Sequence, residues 1–147
     1  MIIATSERGV LAIEDGSDEG RMVAAIARRL PGAEIVSGGS IGAGWLRGWW
    51  DGTRRDAPAL DLRGLSAFDA DVYRFVSGVG WGERVTYGDA AAAIGRPGAA
   101  RAVGGAMARC PLFPAVPCHR VVRAADGWSG WGPTGNRRKR ALLAREG

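Results

Sequence analysis

The same helix-start signal occurs twice in the second half of the chain and constrains how that half folds. Ser66 is followed three residues later by Asp69, and Thr86 is followed in the same way by Asp89. A hydroxyl residue with an acidic residue three positions on satisfies free N–H groups at the start of a helix. We therefore predict a helix after each signal. The first carries an apolar stripe with helical spacing, made of Phe68, Val72, Phe75, Val76 and Val79.

A third helical segment, residues 99–109, consists almost wholly of very small residues. A glycine-containing turn at residues 95–98 separates it from the helix before it, and two helices joined in this way form a helix-turn-helix. Gly104 and Gly105 each cost about 1 kcal/mol relative to alanine within a helix. The smooth surface therefore indicates close packing against another helix, or close approach to a nucleic acid with Arg101 projecting alone.

The first part of the chain has a weaker, mixed pattern that predicts an α/β fold. Two short apolar segments, residues 1–5 and 9–14, predict a β-hairpin. Residues 22–30 have helical spacing and stop at a Pro-Gly pair. The stretch 38–52 is rich in glycine and tryptophan and receives no assignment. Two further short strands are predicted, at residues 35–36 and residues 60–62.

Positive charge is concentrated in the second half of the chain. Residues 1–65 hold eight arginines and nine acidic side chains, a net charge of −1. Residues 66–147 hold twelve basic and six acidic side chains, a net charge of +6. Such asymmetry favours a polyanionic partner. The alternative is that the basic residues only keep one face soluble.

Composition excludes several classes of protein. A chain of 147 residues suffices for one ordinary domain or two small ones. No apolar run reaches about 18 residues, so we expect no membrane-spanning helix and no membrane partner. One histidine and two cysteines exclude a four-ligand Cys/His zinc site, and we expect no metal and no cofactor. Neither a secretory signal nor a disulfide framework is evident, which is typical of a cytoplasmic protein.

Reactive groups are concentrated in Pro117-Cys118-His119-Arg120, which contains the only histidine of the chain. Thiolate is the reactive form of cysteine, and a nearby base favours it. Because adjacent side chains usually point apart, we expect His119 to act on Cys118 through a bridging water. Glu146 is a candidate to orient the imidazole. Taken alone, the segment is also compatible with a buried strand end in which Cys118 is only a small apolar residue.

Five segments in the same order resemble the O6-alkylguanine-DNA alkyltransferases. They are Leu60-Asp61-Leu62-Arg63-Gly64, Gly82-Glu83-Arg84-Val85-Thr86-Tyr87, Arg101-Ala102-Val103-Gly104-Gly105-Ala106-Met107, Pro117-Cys118-His119-Arg120-Val121-Val122 and Arg138-Lys139-Arg140-Ala141-Leu142-Leu143. The resemblance covers residues 60–147 and implies a mostly α, winged helix-turn-helix domain that binds DNA and transfers alkyl groups. It implies a ribonuclease H-like α/β support domain, a small sheet with a helix, at residues 1–59. It also implies a monomer acting on double-stranded DNA that contains O6-alkylguanine.

The resemblance also implies roles for individual residues. Cys118 accepts the alkyl group, chiefly methyl, irreversibly from a guanine rotated out of the duplex, with His119 as base and Glu146 as its orienting partner. Tyr87 helps to rotate the nucleotide and donates to the guanine ring, while Arg101 fills the vacated space. Further DNA contacts are implied for Thr86, Ala102, Gly104, Gly105 and Arg120. An alkyl pocket is implied for Met107, Phe113, Val121, Trp131 and Gly132.

Three departures from the family pattern lie near the implied site. Cys110 stands where the family usually has an asparagine that braces the turn of the reactive cysteine, and a thiol does not supply those hydrogen bonds. One hypothesis is that Cys110 and Cys118 form an inactivating disulfide on oxidation. The loop at residues 126–136 is one residue longer than usual, with Trp131 in place of a tyrosine. Together with the bulk of Phe113, this predicts a preference for small alkyl groups.

Two other functions compete with alkyl transfer. The chain fits a sensor that binds alkyl lesions without repairing them, although relatives of that kind lack the cysteine. A Cys-His-Glu hydrolase is the third hypothesis, and the adjacency of Cys118 and His119 is poor geometry for it.

Overall fold

The computed structural model describes residues 1–16, 18–36, 38, 41–125, 127 and 132–147. The packing forms two compact units, Met1–Ala70 with Pro111–Ala115 and Asp71–Cys110 with Val116–Gly147. Small two-stranded sheets and several helices make up the fold. In chain order the elements are β1 (Ile2–Ser6), β2 (Gly9–Glu14), α1 (Glu19–Arg29), α2 (Ile41–Asp51), α3 (Ala67–Ser77), β3 (Val85–Thr86), α4 (Tyr87–Ala93), α5 (Ala100–Ala108), β4 (Val121–Val122) and α6 (Gly132–Glu146).

The predicted hairpin forms the base of the first unit. Strands β1 and β2 pair antiparallel, and the predicted helix α1 packs Met22 and Ile26 into the interior. Gly9 has φ +142°, and a Cβ atom at this position would overlap the carbonyl group of Ala59. The chain passes this close because the N–H of Val10 donates to that same carbonyl at 2.8 Å. Residue 9 therefore has to be glycine.

Helix α2 occupies the stretch that the sequence left unassigned. It buries Trp45, Leu46 and Trp49, and the indole Nε1–H of Trp45 donates to the carbonyl of Asp56 at 2.9 Å. The glycines of this segment lower its intrinsic helix propensity and so conceal the helix. Packing of the tryptophans stabilises the segment as a helix in spite of that propensity.

Two short strands predicted in the first unit are wrong. Ile35 and Val36 lie in no strand, and they are 41% and 81% exposed. Among the described residues no strand pairs with them. Of residues 60–62, only Leu60 joins the sheet, through a single parallel bridge to Val10. The next carboxylate, that of Asp61, accepts from the N–H of Arg63 at 3.2 Å, and this local turn leads the chain away from β2.

Both predicted helix starts are present. The Thr86 hydroxyl accepts from the Asp89 N–H at 3.0 Å, and the Asp89 carboxylate accepts from the Thr86 N–H at 3.1 Å. These reciprocal bonds form a complete capping box at the start of α4. The Ser66 hydroxyl accepts from the Asp69 N–H at 3.1 Å before α3. The small-residue helix α5 is one residue shorter at each end than predicted, because Ala99 and Arg109 act as its caps.

The packing of α5 separates its apolar face from a small, exposed face. Val103, Ala106 and Met107 are buried, and the Tyr73 hydroxyl donates to the carbonyl of Ala106 at 2.9 Å. Arg101 is exposed in the first turn. The second unit thus holds α5 from one side and leaves its arginine on the surface.

The buried carboxylate of Asp61 links two segments of the first unit by hydrogen bonds. Asp61 is 1% exposed and accepts from the Ser6 hydroxyl at 2.6 Å and from Arg63 Nε at 2.9 Å. The guanidinium of Arg29 donates to the carbonyls of Leu11, Asp61 and Arg63. The hydrogen bond from Arg63, helped by that from Ser6, outweighs burial and holds the Asp61 pKa well below its usual range. Packing therefore includes Asp61 in the first unit, whereas the domain boundary between residues 59 and 60 stays a prediction.

We expect Asp61→Asn to lower the free energy of unfolding by about 2 to 3 kcal/mol near pH 7, since it removes the buried partner of Arg63. Because the pKa of Asp61 is lower in the folded protein than its unfolded value of about 3.9, the ionised carboxylate stabilises the fold fully only above that value. The difference in the free energy of unfolding between the variant and wild type should therefore narrow as the pH falls below about 4. Urea titrations near pH 7 and below about pH 4 measure the free energy of unfolding of both proteins. Asp56→Asn is the matched control, because Asp56 pairs with Arg54 at the same sequence separation on the exposed surface. Equal losses in the two variants would contradict the prediction.

Candidate active site

Cys118 begins a short 3-10 turn, Cys118–Arg120, whose entry is set by a proline. Pro117 has φ −78° and ψ 71°, the values of an inverse γ-turn. The Val116 carbonyl accepts from the Cys118 N–H at 2.8 Å and from the Cys118 thiol at 3.3 Å. The Arg120 N–H donates to the Pro117 carbonyl at 2.9 Å. Cys118 is 2% exposed, and its thiol is thus oriented by the backbone of its own turn.

The imidazole of His119 is held by a carboxylate from the end of α6. Its Nε2 lies 2.8 Å from Glu146 Oε1, and the two side chains are 0% and 1% exposed. Burial lowers the pKa of His119 below 6.5, against the opposing effect of Glu146. The neutral ring therefore donates Nε2–H to Glu146, which leaves the buried Nδ1 as its basic nitrogen.

Arg120 completes the environment of this carboxylate. Its Nε and Nη2 donate to the two oxygens of Glu146 at 2.9 and 2.7 Å, and its Nη1 donates to the Val79 carbonyl at 2.6 Å. Burial would raise the pKa of Glu146, but hydrogen bonds from His119 and Arg120 outweigh burial and lower this pKa to about 2. The DNA contact implied for Arg120 needs correction. Its guanidinium is buried and donates to Glu146 within the second unit, so it does not present itself to a phosphate.

A short parallel sheet brings Tyr87 close to the same turn. Strand β3 pairs with β4, Val85 opposite Val121, and Tyr87 follows β3 directly. Lys139 of α6 is fully buried, donates to the Val121 carbonyl, and has its Nζ 5.8 Å from the centre of the Tyr87 ring. Sequence reasoning gave Lys139 no role. The available signal was that it is the only lysine in a chain with nineteen arginines.

The residues implied to contact DNA, apart from Arg120, lie along α5 and at the start of α4. Arg101 and Ala102 are exposed, and Gly104 and Gly105 are partly exposed. A Cβ atom at Gly104 would lie 3.8 Å from the Tyr87 ring, which is ordinary contact distance. This glycine is therefore not required by helix packing. Thr86 caps α4 and is half-buried.

The residues implied to line an alkyl pocket are divided between the two units. Met107 and Val121 are buried in the second unit. Phe113 belongs to the first unit, where it packs edge-to-face on Trp49 with ring centroids 5.9 Å apart. Trp131 lies outside the described residues. Gly132 is the first residue of α6.

Both cysteines are free thiols, and the N–H of Cys110 donates to the Met107 carbonyl at the end of α5. In the part of the chain that the structure describes, no group of three or more His, Cys, Asp or Glu side chains is placed to hold a metal ion. The helices described here include none with the length and apolarity needed to cross a membrane.

The fold and the site define a class first: a helix-rich protein in which one turn carries a buried free cysteine and a histidine paired with a buried carboxylate. A family model described as "6-O-methylguanine DNA methyltransferase, DNA binding domain" matches residues 67–147, more than half of the chain. The chain belongs to this 6-O-methylguanine DNA methyltransferase family.

Known proteins resemble the chain over most or all of its length. The bifunctional transcriptional activator/DNA repair enzyme Ada of Escherichia coli is 36% identical over 99% of this chain and 42% of its own length. A methylated-DNA--protein-cysteine methyltransferase of Mycolicibacterium paratuberculosis is 48% identical over 59% of this chain and 52% of its own. The crystal structure of Mycobacterium tuberculosis OGT in complex with DNA matches with a TM-score of 0.64 and 40% identity, covering 73% of this chain and 65% of that one. The chain thus spans about half the length of these curated relatives.

The single histidine makes the state of the site directly measurable. We expect His119 to be the neutral Nε2–H tautomer near pH 7 and to titrate below its unfolded value of about 6.5, because burial opposes its charged form. Long-range 1H–15N correlation spectra across a pH titration report both properties. The same titration in concentrated urea is the internal control and should give the unfolded value. A cationic ring or an Nδ1–H tautomer in the folded protein at pH 7 would overturn this assignment.

Proposed function

We propose that this protein repairs alkylated DNA by direct reversal, moving an alkyl group, chiefly methyl, from O6 of guanine in a duplex to Cys118. The observation that carries the proposal is the turn that orients the Cys118 thiol beside the His119–Glu146 pair in a member of this family. Its similarity to methylated-DNA--protein-cysteine methyltransferases supports the same activity.

The reaction is a displacement at the alkyl carbon. A Cys118 sulfur–carbon bond forms as the carbon–O6 bond breaks, and the electron pair of that bond goes to the guanine. The thiol proton passes through a water to Nδ1 of His119, whose Nε2–H is held by Glu146. Tyr87 donates a hydrogen bond to the guanine ring as negative charge develops there. The thioether product has no easy reversal, so each molecule reacts once.

We propose further that α4 and α5 are the helix pair of a winged helix-turn-helix domain that binds the DNA. The target atom lies inside the duplex, so the nucleotide has to be rotated out at a cost of a few kcal/mol. The exposed Arg101 offsets part of this cost by entering the stack, with Thr86, Ala102, Gly104 and Gly105 along the DNA surface. The positive charge of residues 66–147 supports a nucleic-acid partner.

The first unit is proposed to be a small ribonuclease H-like support domain. Its antiparallel hairpin, the helix α1 and the parallel bridge from Val10 to Leu60 support this proposal. We also propose that the protein acts as a monomer in the cytoplasm, where a reducing environment preserves a reactive thiol. We also propose a preference for small alkyl groups, with Met107 and Val121 of the second unit close to the alkyl group.

The central test is covalent. After incubation with duplex DNA containing O6-methylguanine, intact-mass measurement should show a gain of one methyl group per protein chain. Cys118→Ala should abolish the gain, because it removes the accepting sulfur. Cys110→Ser is the matched control and should still gain one methyl group. Tight binding to the lesion without any mass gain in the wild-type protein would instead identify a sensor.

The DNA role of Arg101 is separable from the chemistry. We expect Arg101→Ala to slow methyl transfer from duplex DNA by about tenfold or more, since nothing then fills the space left by the rotated base. Transfer from the free base O6-methylguanine should stay within about twofold of wild type, because no base has to leave a stack. Quenched time courses with both substrates measure this. Arg28→Ala, an exposed arginine of α1, controls for the loss of one charge. Equal slowing on both substrates would assign Arg101 a different role.

A further inference from the structure

A tight turn at residues 80–83 lies against the proposed active site. The Glu83 N–H donates to the Gly80 carbonyl at 3.0 Å, and the Glu83 carboxylate accepts from the Gly80 N–H at 2.7 Å. Gly82 has φ +81°, as the third position of a type II turn requires. Trp81 is therefore held at the corner of a turn that is closed by two hydrogen bonds.

This turn touches the end of α6. A Cβ atom at Gly82 would lie 3.2 Å from the carbonyl oxygen of Glu146, so the backbones approach closely at this point. The residue before the turn, Val79, accepts from Arg120 Nη1 at 2.6 Å. The turn is thus joined to both members of the Arg120–Glu146 ion pair.

The indole of Trp81 lies against two guanidinium groups. Its ring centre is 5.7 Å from Cζ of the buried Arg120 and 5.0 Å from Cζ of the exposed Arg145. Both distances are within the range of cation–π attraction. The ring is half-buried, so it lies between solvent and the buried guanidinium that holds Glu146.

We propose that Trp81 is a positioning residue for the alkyl transfer: its indole covers the Arg120–Glu146 ion pair and thereby keeps Glu146 fixed on His119. The inference rests on the proposed function. Trp81 touches neither the thiol nor the substrate in this scheme, and it acts through the ion pair alone.

The physical reason is the exclusion of water. A charge-assisted hydrogen bond is stronger in a dry environment, and water entering beside Arg120 would weaken its hold on Glu146. The Glu146 carboxylate would then orient the imidazole less firmly. The charged groups around His119 are Glu146, Arg120 and Lys139, and replacing Trp81 removes none of these charges. What changes is hydration, which relieves the burial of the imidazole and makes its protonation easier.

The experiment compares Trp81→Ala, Trp81→Leu and Trp81→Phe with wild type in single-turnover methyl transfer from about pH 5 to about pH 9. We expect Trp81→Ala to be about tenfold slower near pH 7 and to lose its rate at a higher pH as the solution is acidified. Trp81→Phe keeps an aromatic face and should stay within about twofold of wild type, with Trp81→Leu between the two. Trp50→Ala, which removes an exposed tryptophan in the first unit, should leave the rate and its pH profile unchanged.

A wild-type rate and pH profile in Trp81→Ala would overturn the inference. Slowing without any shift of the pH profile, or equal slowing in the Phe and Leu variants, would reduce Trp81 to general packing and overturn it as well. If Trp81→Ala does not fold, the inference is tested by comparing the rates and pH profiles of Trp81→Leu and Trp81→Phe, of which only Trp81→Leu should differ clearly from wild type. If wild type transfers no methyl group, the proposed function fails, and the inference is then judged by the His119 titration in NMR spectra. That titration should move to higher pH in Trp81→Ala or Trp81→Leu and stay unchanged in Trp50→Ala.

Discussion

The carboxylate of Glu146 is the group on which the architecture of the second unit's site depends. It accepts hydrogen bonds from His119 and Arg120, and so joins the turn that carries Cys118 to the last residues of α6. Arg120 extends the connection to the Val79 carbonyl. Hydrogen bonds from these two residues stabilise the charged carboxylate more than burial destabilises it, which is why its pKa is low. Removing one partner of such a buried pair typically costs about 3 to 5 kcal/mol, so the turn and the helix end are held together.

The first unit uses the same chemistry with a different result. Asp61 is also a buried carboxylate paired with an arginine, but the Arg63 side chain is 38% exposed, whereas that of Arg120 is 5% exposed. The Asp61 pair fastens backbone segments. The Glu146 pair does this and in addition holds a group that can accept and release a proton, the imidazole of His119. The Glu146–Arg120 pair thus differs from the Asp61–Arg63 pair in that its carboxylate also binds an imidazole, and this makes it part of a candidate active site.

The sequence contained local signals for much of the fold and few for the contacts of the site. The hairpin, α1 and the capping box at Thr86 follow from patterns within a few residues, and all are present. Helix α2 was not predictable, because its glycines oppose a helix that only the packing of its tryptophans stabilises. The partners of Arg120 were not predictable either. The family resemblance of the segment around Cys118 implied a DNA contact, whereas the partners of Arg120 come from α6 and Val79, distant in sequence. The burial of Lys139 within an arginine-rich run has the same explanation, since a charge pattern does not reveal which side chain points inward.

The charges around His119 bear on two properties of the site: the protonation of the imidazole and the charge on a leaving group. Within the described residues, the cations Arg120 and Lys139 and the carboxylate of Glu146 act on this imidazole, which leaves an excess of positive charge. Burial lowers the pKa of His119, Glu146 opposes this effect, and the charges on Arg120 and Lys139 act in the same direction as burial, so the ring stays neutral and able to accept a proton. In the proposed reaction, the positive charge of Arg120 and Lys139 would also stabilise negative charge that develops on the departing guanine. A second carboxylate in place of Lys139 would act in the opposite direction, because it would favour a protonated imidazole and, in the proposed reaction, repel the leaving group. In the proposed reaction, one arrangement of fixed charges would therefore serve both the base and the leaving group.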